Sequence, residues 1–133
     1  MHSMFIKAAA ILGALAVALG AFGAHALRQK VSEVALNIFE TGVRYQFYHV
    51  IALLAVGILF KDFGNKWMVW AGWLFIAGII LFSGSLYLLT YIKGTEKTAY
   101  NWIGAITPFG GLAFIAGWLF VLIGLFKPTT IVQ

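Results

Sequence analysis

Four long, nearly unbroken apolar stretches separated by short polar segments run the length of the chain. The first extends from Met4 to Ala26, which as a helix is about 34 Å long, enough to cross the hydrocarbon core of a bilayer. Its start imitates a secretory signal, with Lys7, an apolar stretch and then Ala24, His25 and Ala26 in an A-x-A pattern. The stretch is longer than a signal core, so it is read as a retained span. From Lys30 to Glu40 the pattern changes. Apolar Val31, Val34, Ala35 and Ile38 alternate at helical spacing with Lys30, Ser32, Glu33, Asn37 and Glu40, which predicts an amphipathic helix lying along the interface. Apolar residues resume after Gly42 up to Phe60, again from Trp67 to Ile92, and finally from Tyr100 to Phe126. In the last stretch Thr107 and Pro108 predict either a kink or a helix that begins at Pro108 with Thr107 as its N-cap.

The resulting fold class is all-α: a four-helix transmembrane bundle with a short interfacial amphipathic helix between spans 1 and 2. Its spans lie at about 4–26, 43–60, 67–92 and 101–126, with the interfacial helix at about 30–41, in a single integral membrane domain. Small residues recur four apart at Ala16, Gly20 and Ala24 and at Ala113 and Gly117, where helix backbones can approach closely. The pentapeptide AGWLF occurs at Ala71 and again at Ala116, which in so biased a composition is read as coincidence rather than duplication.

Composition narrows the picture. With 62% hydrophobic and 10% charged residues and a mean hydropathy of +0.96, a soluble fold is excluded. The absence of cysteine removes thiol redox chemistry and thiolate metal sites. The net charge of +5 is spread over every connection rather than gathered into a patch, so it reads as helix flanking and implies no nucleic-acid partner. Orientation stays open. The end carrying the N-terminus has Lys7, Lys61, Lys66 and Lys127, and the other has Arg28, Lys30, Arg44, Lys93 and Lys97. The expected surroundings are the lipid bilayer of a bacterial plasma membrane, with a membrane-protein partner or a homo-oligomer as further companions.

Four antiparallel spans bring the end of the first, the start of the second, the end of the third and the start of the fourth to one leaflet, which collects the polar residues. The candidate polar cluster or ligand-binding set is His25, Glu40, Arg44, Tyr45, Gln46, His49, Ser83, Ser85, Tyr87 and Thr107. Two readings follow. In one, Arg44 and the two histidines meet a helix start at Pro108 and hold an anionic lipid headgroup or a quinone carbonyl. In the other, Glu40 neutralises Arg44, the histidines bond to Ser83, Ser85 or Tyr87, and the network holds the bundle in register. His25 and His49 also admit haem or a metal, but without a carboxylate or thiol at ligand spacing the signal is weak. His2, at the terminus, is expected to fray. No Asp or Glu lies in the middle of a span, as a proton-coupled exporter requires, and no hydrolase or phosphoryl-transfer motif is present, so enzymatic activity is not expected.

Four ordered motifs, GAFGAHAL at Gly20–Leu27, TGVRYQFYH at Thr41–His49, LFSGSLY at Leu81–Tyr87 and ITPFGG at Ile106–Gly111 followed by Gly117 and Trp118, resemble the domain-of-unknown-function 423 family, related to transmembrane protein 256. The resemblance covers nearly the whole chain up to Phe126. It implies a small four-span protein of bacterial membranes, with relatives in eukaryotes and no assigned biochemical role.

Overall fold

The computed structural model describes residues 1–94 and 101–131. Its helices are α1 (Ser3–Ala24), α2 (Glu33–Phe63), α3 (Lys66–Gly78), α4 (Gly84–Gly94) and α5 (Asn101–Phe126). A 3₁₀ turn (Leu27–Gln29) follows α1, and a π-helical turn (Ile79–Ser83) joins α3 to α4. Among the described residues there is no strand. Four helical stretches are long and apolar enough to cross a membrane: Ser3–Gln29, Glu33–Phe63, Lys66–Ile92 and Trp102–Phe126. Most of the polar connection expected over Lys93 to Thr98 lies outside the described residues.

The segment expected as a separate interfacial helix is helical, but it forms the first turns of α2. Ser32 caps the helix by accepting from Ala35 N at 3.2 Å, and Glu33 places a carboxylate in the first turn. Thr41 and Gly42 do not interrupt it. Thr41 Oγ1 donates back to the Asn37 carbonyl at 2.8 Å, and Gly42 is buried, where a Cβ would stand 2.8 Å from the Tyr87 ring. The buried face is Ala35, Leu36 and Phe39, with Val34 exposed. Phe39 packs between Phe22 and Tyr87 at ring-centroid distances of 6.2 and 5.1 Å. An apolar face that finds neighbouring helices has no need of the interface, and a break at Gly42 would orphan backbone groups beside the bilayer.

The 31-residue α2 is also the hub, touching α1, α3, α4 and α5. It is 44% buried over its most apolar window, against 17% for the first span and 22% for the last. A core of Phe5, Leu53, Val56, Ala71, Phe75 and Phe114 joins α1, α2, α3 and α5. Helix α3 starts at Asn65, whose Oδ1 accepts from Trp67 N and Met68 N at 3.1 and 3.3 Å while its Nδ2 donates to the Gly124 carbonyl at 2.9 Å. One buried amide thus caps α3 and ties it to α5.

Helix α5 passes through Pro108 without restarting, so Thr107 is an interior residue and not an N-cap. The two AGWLF segments lie on adjacent helices. Phe75 of the first packs where a Cβ on Gly117 of the second would stand, 2.6 Å from its ring.

Candidate functional site: a closed polar network between the helices

The π turn sets the geometry. A π turn inserts an extra residue into an α-helix and rotates everything beyond it. Here it lets Ser83 and Tyr87 face α2 while Ser85 faces α5. Ser83 Oγ donates to the Gly42 carbonyl at 2.6 Å, Ser85 Oγ and Thr107 Oγ1 share a hydrogen bond of 2.6 Å, and Ser85 also donates to the Phe82 carbonyl at 2.8 Å. The widened turn receives α5 closely: a Cβ on Gly110 would fall on the backbone N and Cα of Phe82.

At the centre lies Gln46, 1% exposed. Its Oε1 accepts from the Tyr87 hydroxyl at 2.6 Å and its Nε2 donates to the Leu12 carbonyl at 2.9 Å. One side chain of α2 therefore links α1 and α4. Thr90, one turn beyond Tyr87, donates to the Leu86 carbonyl of its own helix at 2.8 Å and reaches the Ala35 carbonyl at 3.4 Å.

His49, 5% exposed, is held separately, on the side of α2 that meets α5. Its Nδ1 is 2.7 Å from the Tyr45 carbonyl, and its Nε2 is 3.1 Å from Trp118 Nε1. A carbonyl only accepts and an indole N–H only donates, so these contacts select the neutral imidazole with its proton on Nδ1. The ring stacks on Phe114 at 3.5 Å and 9°. Both nitrogens are engaged, so a metal or haem iron at His49 would first have to displace one of these partners. A cleft of about 410 Å³ opens beside it, walled by Tyr45, Phe82, Phe114, Ile115 and Trp118.

Seven of the ten residues singled out from the sequence take part in these contacts: Tyr45, through its carbonyl, and Gln46, His49, Ser83, Ser85, Tyr87 and Thr107. The other three do not. His25 ends α1 on the exposed surface, and Glu40 and Arg44 are exposed on α2. Among the described residues no ion pair joins Glu40 to Arg44. The partners of His49 are Tyr45 and Trp118, rather than the serines or Tyr87. With no helix start at Pro108, there are no free N–H groups for an anion at that point.

Besides Thr90, sequence reasoning missed two residues whose signal was readable. Trp118 carries an indole N–H inside an apolar helix, which needs an acceptor and so pointed to a partner. Asn65 stands just before an apolar run, the ordinary signature of an N-cap. His2 was expected to fray, yet its backbone N–H donates to the Gly57 carbonyl at 2.8 Å, and its ring stacks on Phe5 at 3.9 Å and meets Phe60 edge-on at 5.0 Å. Its Nδ1 is buried without a hydrogen-bond partner, and burial lowers its pKa below the usual histidine value.

The sequence profile described as "Protein of unknown function (DUF423)" matches residues 19–111, which include every residue of this network except Leu12 and Trp118. Among curated proteins, the chain is 45% identical to the UPF0382 membrane protein YwdK of Bacillus subtilis, over 93% of this chain and 97% of that protein. It is 45% identical to a UPF0382 membrane protein of Staphylococcus saprophyticus, over 93% and 98% of the respective chains. A counterpart in Staphylococcus haemolyticus is 42% identical over 93% and 96%. No solved structure matches. A four-helix membrane architecture, the extent of the profile match and full-length similarity to these bacterial proteins agree: the chain belongs to the DUF423 family of small membrane proteins.

Proposed function

We propose that this protein is a non-enzymatic component of the bacterial plasma membrane that acts through helix packing, with itself or with a larger membrane complex. The observation that carries the reading is that its buried polar side chains find their partners within the bundle. Gln46, Tyr87, Ser83, Ser85, Thr107 and His49 each spend their hydrogen-bonding groups on another part of the bundle. Catalytic sites leave a nucleophile, a base or an oxyanion donor aimed at open space. These groups are aimed at one another, at backbone carbonyls and at Trp118, and such a network fixes how helices meet in a medium where hydrophobicity cannot drive them together.

A second reading, a binding protein for an amphiphile such as a quinone, is favoured by the aromatic cleft beside His49. Native mass spectrometry of the protein released gently from membranes separates the two. The packing role predicts a homo-oligomer or a complex with another membrane protein, unchanged in ligand content by His49→Ala, and a bare monomer overturns it. A discrete small-molecule adduct lost in His49→Ala would replace this reading with the second.

A further inference from the structure

An open amphipathic cavity lies at the opposite end from the polar network. Where the α2–α3 connection meets the end of α5, a cavity of about 590 Å³ is framed by Lys66, Lys127, Asn65, Pro128 and Thr130. The tail forms its outer wall and is pinned there: Thr130 N and Ile131 N both donate to the Gly64 carbonyl at 2.8 Å, and Thr129 Oγ1 donates to the Asp62 carbonyl at 2.6 Å. Sharing Lys66 and Trp67 with this cavity, a second space of about 390 Å³ is walled by Trp67, Trp70 and Phe120 and is almost wholly apolar. Trp67 and Trp70 are three apart on α3 and so lie on one face, and Phe120 meets Trp67 edge-on at 5.2 Å across the seam with α5.

We propose that this end of the bundle binds an anionic phospholipid, its headgroup between Lys66 and Lys127 and one acyl chain in the Trp67, Trp70 and Phe120 groove. The cavity passes from charged to apolar within about one helical turn, as a phospholipid does. Its charge is supplied by side chains, because Asn65 Oδ1 already occupies the Trp67 and Met68 N–H groups at the start of α3. Both lysines are exposed, and among the described residues neither has a carboxylate partner. Lys66 Nζ stands 5.5 Å from the centre of the Trp67 ring, which holds the ammonium at the junction of the two spaces. The surrounding end carries Lys7, Lys61, Lys66 and Lys127 against Asp62 as its acidic side chain, so its field attracts anionic lipid. The inference is independent of the role of the polar network.

The test uses tryptophan quenching in phosphatidylcholine vesicles containing a fixed fraction of phosphatidylglycerol. Bromine is carried on the acyl chains either of the phosphatidylglycerol or of an equal mole fraction of the phosphatidylcholine. Brominated phosphatidylglycerol should quench wild type more strongly than brominated phosphatidylcholine. K66Q/K127Q should lose that excess, and K7Q/K61Q, which removes the same charge from the same end outside the cavity, should keep it. Phe120→Trp, which places another emitter in the groove, should enlarge it. Equal quenching by the two lipids in wild type overturns the proposal. So does an excess that survives K66Q/K127Q, that K7Q/K61Q abolishes equally, or that Phe120→Trp leaves unchanged; the last comparison decides if K66Q/K127Q does not reconstitute.

Discussion

Gln46 is the residue on which the network turns, because its amide bonds to both α1 and α4. Gln46→Leu removes both bonds and takes the amide acceptor from the half-buried Tyr87 hydroxyl. The expected loss is about 1–2 kcal/mol, since single interhelical hydrogen bonds in membranes are worth about 0.6 kcal/mol and an orphaned hydroxyl costs more. Tyr87→Phe removes the shared bond from the other side, so the double variant should lose less than the two single losses added together. Thermal denaturation of all four proteins in detergent measures this. His2 carries a prediction in pH. Its folded pKa lies below the unfolded value of 6.5, so the unfolded state binds the proton more readily. The stabilisation by neutral His2 is therefore present above about pH 6.5 and is lost as the pH falls below it. Amide exchange over residues 2–6, corrected for intrinsic rates, should accelerate on acidification, and His2→Phe should remove that acceleration.

At the scale of elements, the π turn at Ile79–Ser83 explains more than any single side chain. It changes the facing of α4 relative to α3 and opens the backbone at Phe82 to Gly110. Gly110→Ala places a methyl group against main-chain atoms that cannot move without disturbing the turn. We expect a loss of about 1–3 kcal/mol from overpacking. Gly104→Ala in the same helix, where a Cβ would meet nothing within 4 Å, should be neutral or slightly stabilising. Thermal melts of the two variants side by side make the comparison. The gathering of Gln46, Ser83, Ser85, Tyr87 and Thr107 was legible in the sequence, because an antiparallel four-span topology brings those segments to one level. Their pairings were not legible, since a span apolar on nearly every side offers no hydrophobic phase from which the one-residue shift of a π turn could be read. For the same reason α2 looked like two helices: Gly42 reads locally as a break, and only the Tyr87 ring packed over it shows why the helix continues.

Taken whole, the molecule carries a hydrogen-bonded network toward one end and a lysine-framed cavity at the other. Four spans place the α2–α3 connection and the C-terminal tail at the same end, and Thr129, Thr130 and Ile131 bond to that connection directly. Because the chain contains no cysteine, single-cysteine labelling is clean. In sealed vesicles, Lys61→Cys and Lys127→Cys should react with an impermeant maleimide from one face, and Lys30→Cys from the other. The number of spans, their approximate limits, the absence of thiol chemistry and the gathering of polar residues all follow from hydropathy, composition and topology, which are properties of a linear chain in a bilayer. The continuity of α2 and α5, the exposure of His25, Glu40 and Arg44, the Trp118 partner of His49 and the lysine-framed cavity were decided only by folding. Each depends on the rotation of one helix about its own axis against another, which is set by side-chain packing and hydrogen bonds between segments far apart in sequence.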